Sequence, residues 1–332
     1  MRHRMNRRAF IGLIGGAAAW PLASHAQRSE QMRLVGVLMG SADHADARSR
    51  LEVFVQAFRH LGWIDGRNVR LDIRWGRDPQ STEANARELV ELKPDVILAG
   101  PTNAVIPLQQ KTRDIPIVFV SVSDPVGHGI VENLARPTGN LTGFSNLEPT
   151  LMGKWLQLIK EAAPPTKRVA LMISTSNASS PVWYRMFNAV APGLEIEPIS
   201  APIGDRTEIE GVVKSIAQRP NSALLIAGDT LVSDPPVRRS VIELTAAHRL
   251  PAVYGEVPFA ADGGLIAYGI DRIEPYRHAA SYVDRILKGE KPANLPVQQP
   301  TKFQLVINLK TAKALGLELS PTLVGTADEV IE

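Results

Sequence analysis

Cysteine is absent from all 332 residues. The chain therefore has no disulfide framework and no lipid-modified cysteine to tether it. Long apolar runs are missing too. The best candidate, Ile11 to Leu22, falls short of the roughly 20 residues a membrane-spanning helix needs, and nothing later approaches that length. A basic excess is also absent once the N-terminus is set aside. The formal charge of +3 includes Arg2, Arg4, Arg7 and Arg8, in a stretch of 26 residues without an acid. Removing those four from 37 Lys and Arg leaves 33 against 34 Asp and Glu, a net charge of −1. That balance gives no argument for a nucleic-acid partner.

Catalytic and nucleotide-binding signatures are missing as well. The chain contains no G-x-S-x-G, no H-E-x-x-H, no Walker A and no G-x-G-x-x-G after a strand. Gly127-His128-Gly129 imitates a phosphate loop, but Glu132 stands where its third glycine belongs. His128, near a strand end, reads as a hydrogen-bonded loop residue, and His44 reads the same way. His60, His248 and His278 fall on predicted helices without metal-ligand spacing. No nucleophile with a base within reach is evident, so neither an enzyme nor a cofactor is expected.

What is present fits a soluble globular protein of about two domains, with 44% hydrophobic and 21% charged residues. The first 26 residues read as an export signal. A basic n-region with Asn6-Arg7-Arg8-Ala9-Phe10 leads into the Gly/Ala-rich stretch Ile11–Leu22. Ser24-His25-Ala26 then supplies small residues for cleavage, and the mature chain starts at Gln27. The paired arginines before Phe10 resemble a twin-arginine signal, with a Sec signal as the alternative. Either route delivers a protein free in the periplasm that does not span a membrane, expected to be a monomer.

The rest alternates strand-like and helix-like segments, and does so twice. Apolar runs at Leu34–Met39, Asp95–Ala99 and Ile115–Val120, with Asn68–Trp75, are predicted strands separated by helical patterns. The pattern restarts with strands at Arg168–Ile173, Leu194–Ile199, Asn221–Ala227 and Leu250–Tyr254. A Thr207/Glu210 capping box is expected ahead of a helix over Val212–Ala217. Arg33 to Arg168 and Ile115 to Leu250 are both 135 positions apart. Two βαβαβαβ units predict an α/β protein of two doubly wound parallel-sheet lobes. The junction is expected between Gly143 and Glu148. The tail, with strands at Leu265–Tyr268 and Phe303–Asn308 around a helix over Tyr276–Leu287, is expected to cross back. That places residues 33–145 plus about 267–298 in the first lobe, and 146–266 plus about 299–332 in the second.

Ligands of open α/β sheets bind beyond the carboxyl ends of the strands. Those ends carry Ser41; Thr102 and Asn103; Ser121 and Ser123; Ser176 and Asn177; Asp229; and Glu256. Short polar groups at helix starts suit a carboxylate, and Asp229 and Glu256 suit an ammonium. Ordinary N-caps and Asp-Pro turns use the same residues, so the argument rests on all six loops sharing one edge. Trp183, opening a predicted helix beside the cleft, completes the candidate ligand-binding set. No Arg or Lys lies in the six loops, which argues against phosphorylated ligands.

The blocks Ile64-Asp65-Gly66-Arg67-Asn68-Val69, Leu134-Ala135-Arg136-Pro137-Thr138-Gly139-Asn140-Leu141-Thr142-Gly143, Tyr282–Gly289 and Gln299–Lys313 resemble those of the ABC-transporter substrate-binding family. That family has a type I periplasmic-binding-protein fold and includes tryptophan-binding members. The resemblance runs from about Arg33 to the C-terminus. It implies a bilobal protein that closes on a small ligand, an amino acid or related zwitterion, and presents it to an ABC-type membrane permease. Family members commonly carry Asn-Pro and Asp-Pro where this chain has Ser176-Asn177-Ala178 and Asp229-Thr230. A ligand-sensing protein of the same fold, without transport, is the alternative. Hinges are expected near Thr142–Ser145, Val257–Leu265 and Pro292–Pro300.

Overall fold

The computed structural model describes residues 32–332 apart from Leu147, Pro149 and Thr230. The expected export signal and its cleavage site lie outside the described residues.

The first run of elements is β1 (Arg33–Met39), α1 (Ala45–His60), β2 (Val69–Trp75), α2 (Pro79–Glu91), β3 (Val96–Gly100), α3 (Thr102–Lys111), β4 (Ile117–Val122) and β5 (Leu141–Ser145). The second is α4 (Leu151–Ala162), β6 (Arg168–Ser174), α5 (Ser180–Val190), β7 (Glu197–Ile203), α6 (Ile209–Ala217), β8 (Ser222–Ile226), α7 (Pro235–Ala247), β9 (Ala252–Tyr254), α8 (Pro258–Ala261) and β10 (Ile266–Ile270). The tail is α9 (Glu274–Leu287), β11 (Phe303–Asn308), α10 (Leu309–Leu315), α11 (Pro321–Gly325) and β12 (Glu329–Ile331).

The strands make two sheets, β2-β1-β3-β4-β5 and β7-β6-β8-β9-β10-β11-β12. All neighbours run parallel except β10 and β11. The first five strands of the second sheet repeat the order of the first sheet, which explains the recurring 135-residue offset. Each sheet is covered on both faces, and strand alternation divides the apolar side chains between them. From β1, Val35, Val37 and Met39 pack with Phe54 and Phe58 of α1 and Tyr276 and Val283 of α9, while Leu38 joins Leu89 of α2 and Leu108 of α3. From β6, Val169, Leu171 and Ile173 meet Trp155, Leu156 and Phe187, and Ala170 and Met172 meet Val213 and Val241.

Several expectations need correction. The Thr207/Glu210 capping box does not form. The Thr207 hydroxyl donates to Asp205 Oδ1 at 2.5 Å, and the same carboxylate accepts from Thr207 N at 2.7 Å, so Asp205 caps a short 3-10 turn ahead of α6. β5 and α4 were not foreseen. β5 extends the first sheet beside β4 and ends at Ser145, inside the expected junction. β10 pairs with β9 through Ile266↔Val253 and Ala267↔Tyr254, so residues 267–270 belong to the second sheet. The chain returns to the first lobe after Ile270, a few residues later than expected. Val257–Leu265, expected as a hinge, holds α8 and the approach to β10 inside the second lobe.

The crossings lie side by side. Ser145 N donates to Gln298 O at 2.8 Å, Gln298 N donates to Gly143 O at 2.9 Å, and Thr142 Oγ1 donates to Leu295 O at 2.6 Å. The lobes also touch across the cleft. Arg238 of α7 pairs with Asp46 of α1 and with Asp262, each at 2.7 Å, and Arg185 stands 3.6 Å from Asp124.

Candidate functional site

A cavity of about 50 Å³ lies where the carboxyl ends of the two sheets face each other. On the first-lobe side, β3 ends at Gly100, and α3 starts at Thr102 with no side chain capping its first turn. Thr102 and Asn103 thus present helix-start amides, whose partial positive charge favours an anion. Asn103 Nδ2 donates to Gly40 O at 2.9 Å, while its Oδ1 is buried without a partner. β4 ends in an irregularity, its register against β5 shifting between Val120 and Val122. The residue in the shift, Ser121, adopts φ +57°, a left-handed conformation that costs a non-glycine residue energy. Its Oγ is buried and has no hydrogen-bond partner. Ser123 Oγ donates to Asn146 Oδ1 at 2.8 Å.

The second-lobe side is charged and aromatic. Asp229, after β8, is 2% exposed. Its Oδ2 accepts from Ser174 N at 3.1 Å and Asn177 Nδ2 at 2.9 Å, and its Oδ1 accepts from Leu231 N at 2.8 Å. A carboxylate offers roughly four lone-pair sites, so one remains. Burial pushes the Asp229 pKa up; its hydrogen bonds oppose the shift, and the nearby Glu256 charge adds to it. Glu256, after β9, is 4% exposed and is engaged by Arg272 Nη1 at 2.5 Å and by Ser233 Oγ at 2.7 Å. Trp155 of α4 and Trp183 of α5 stand 5.4 Å apart at 37°. Trp155 Nε1 donates to Tyr268 O at 2.6 Å, whereas Trp183 Nε1 is buried and unpartnered. Gly255 makes room for this pair, since a Cβ there would lie 2.9 Å from the Trp155 ring. Tyr184, next along α5, has its pKa pushed up to about 12 by burial and by the Asp229 charge.

Thr102, Asn103, Ser121, Ser123, Asn177, Trp183, Asp229 and Glu256 all line this cavity. Ser41 and Ser176 do not. They line a neighbouring cleft of about 150 Å³, which Asn103 also borders. Ser176 serves its own turn there, with Oγ 2.8 Å from Ser174 Oγ. Glu256 lines the cavity with its charge neutralised by Arg272, whereas Asp229 is in no ion pair among the described residues and is the acid left to meet a cation. Asn146, Leu151, Trp155, Ser179 and Arg272 line the cavity and were not foreseen. Arg272 adds a cation from outside the six loops. It arrives from the end of β10, a seventh strand end, and is neutralised by Glu256. Neither Asp124 nor His128 lines the cavity. Among the described residues, no group of three or more His, Cys, Asp or Glu is placed to hold a metal ion, and no helix is long and apolar enough to cross a membrane.

The chain is similar to known proteins over most of its length. It is 25% identical over 291 residues to a tyrosine-binding protein of Clostridioides difficile, covering 87% of this chain and 83% of that one. Its fold matches a conserved domain protein from Vibrio cholerae with TM-score 0.84 and 24% identity, over 90% of this chain and 100% of that chain. It matches an ABC domain from Streptococcus pneumonia, solved with L-Trp, at TM-score 0.80 and 23% identity, over 90% and 100% of the two chains. A ligand-free, open substrate-binding protein with adhesive properties from Clostridium difficile gives TM-score 0.66 and 24% identity, over 91% and 99%. The family model described as ABC transporter substrate binding protein matches residues 42–331, and the chain, with its two α/β lobes and interlobe cavity, belongs to that family.

Proposed function

We propose that this protein is an exported carrier that captures an amino acid or related zwitterion between its lobes and delivers it to an ABC-type permease. One observation carries the reading. One cavity between the lobes brings together the remaining acceptor site of Asp229, the uncapped start of α3 and the Trp155–Trp183 pair. Asp229 suits an ammonium and the α3 amides suit a carboxylate, on opposite sides of the cleft, so the zwitterion itself ties the lobes together. The relatives named for tyrosine and solved with L-Trp support an aromatic amino acid against the tryptophan pair.

The size of the cavity favours a second reading. At about 50 Å³ it is smaller than the roughly 150 Å³ that accommodates benzene. A short-chained amino acid needs the lobes to part less than an aromatic one does. Calorimetry with the twenty amino acids separates the two readings, and mass spectrometry of co-purifying material identifies the natural solute. Saturable one-site binding of at least one amino acid is expected, with a smaller radius of gyration in scattering. If none binds and the co-purifying solute lacks an ammonium group, the proposal fails. Export is tested by N-terminal sequencing, which should show cleavage after Ala26. Replacing Arg7-Arg8 by Lys-Lys blocks export only if the twin-arginine route is used.

A further inference from the structure

Behind the Glu256–Arg272 pair lies a second, larger cavity of about 280 Å³. Both lobes build it. His44, Asp46 and Arg50 come from the start of α1, Ser233 and Gln304 come from the second lobe, and Arg272 comes from the crossing after β10. Each acid facing it has partners other than Arg50. Glu256 is held by Arg272 and Ser233, and Asp46 by Arg238, while Asp271 Oδ1 accepts from the amides of Ile273 and Glu274. Arg50 is not committed. Its guanidinium has no ion-pair partner among the described residues, and its Nε is closed off from solvent without a hydrogen-bond partner. Burial and the charge of Arg272 both pull its pKa down, while Tyr276, Glu256 and Asp46 act the other way from beyond ion-pair distance. Interiors seldom keep such a charge unpaired.

We propose that this second cavity binds a small monocarboxylate, held by Arg50 between the lobes. The guanidinium fork matches a planar carboxylate through two parallel hydrogen bonds. A dianion such as phosphate would be repelled by Asp46, Glu256 and Asp271 around the same space. The occupant bridges α1 and the second lobe, so its binding favours the closed arrangement independently of the solute in the smaller cavity.

Sodium acetate, compared with sodium chloride at equal ionic strength, tests this on the mature chain. Acetate is expected to raise the thermal midpoint saturably, on the order of 5 °C once it reaches about a hundred times its Kd. Arg50→Gln should abolish that response while raising the acetate-free midpoint, because a buried charge without a direct partner is gone. Arg50→Lys keeps the charge without the fork and should bind acetate roughly tenfold more weakly. Equal effects of acetate and chloride would overturn the proposal, as would an acetate response that survives in Arg50→Gln. Crystals of the protein as purified and after an acetate soak separate the two sources of a carboxylate. Density on Arg50 that continues into the smaller cavity makes the carboxylate part of the solute, and isolated density makes it a separate molecule. Density on Arg50 in neither crystal refutes the site.

Discussion

The two sheets present the same five-strand order to the cleft, yet their rims differ in chemistry. The first lobe offers Thr102, Asn103, Ser121 and Ser123, all neutral, with the bare start of α3. The second offers Asp229, the Glu256–Arg272 pair and two tryptophans. A shared architecture thus leaves the division of labour open. Here the second lobe holds the charge and the apolar wall, and the first closes over them with dipoles.

The sharpest way to break that contrast is to unbalance the charged rim. Arg272→Ala leaves Glu256, 4% exposed, without its counter-ion and should cost about 3–5 kcal/mol in urea unfolding. Pairing Arg272→Met with Glu256→Leu should recover most of it. If the single variant is as stable as the parent, the pair does not matter to the fold.

Asp229→Ala should weaken solute binding about a hundredfold, against about threefold to tenfold for Ser121→Ala on the neutral rim, both read by calorimetry. Equal losses would erase the asymmetry. Ser121→Gly should also stabilise the protein by about 1 kcal/mol, because glycine accepts φ +57° without strain.

Titration separates the rims next. The folded-state pKa of Asp229 lies above its ordinary 3.8, so between that value and the raised one the folded chain holds more protons than the unfolded chain. Stability contributed by this group is therefore present at low pH and is lost as pH rises through that window. Denaturation across acidic pH should show the loss in the parent and not in Asp229→Asn. Binding of an ammonium-bearing solute should run the opposite way and strengthen as Asp229 ionises.

The smallest effect belongs to the contact between rims. Asp46→Ala removes one partner of Arg238 but leaves Asp262, so stability should change by about 0.5–1 kcal/mol. Scattering should show a more open particle, and solute should dissociate a few times faster.

Much of this was legible beforehand, for identifiable reasons. Strands buried on both faces read as apolar runs, so β1, β3, β4, β6 and β8 stand out, and with them the loops that hold Thr102, Ser121 and Asp229. The wall contributed by α4 was overlooked although the apolar spacing of Leu151, Trp155, Leu158 and Ile159 was there to be read. Arg272 was beyond reach for a different cause. Only the pairing of β10 with β9 brings it to the rim, and strand pairing is a long-range choice that local pattern does not encode. Ser176 shows the converse, since a side chain of the right type at a strand end is engaged by its neighbour Ser174.

The crossings between lobes also constrain how the chain acquires its structure. Trp63 Nε1 donates to Asp284 Oδ1 across 221 positions of sequence, and Thr142 reaches Leu295 across 153. Until α9 has been synthesised, the face of the first sheet bearing Val35, Val37 and Met39 is covered by α1 alone. The N-terminal half cannot mature ahead of the C-terminal half, and the ribosome must release nearly the whole polypeptide before either lobe is complete. Folding that depends on such distant partners is intrinsically slow. A chain stopped after Ile270 should therefore form its second-lobe strands β6 to β10 while the first 145 residues stay open to proteases.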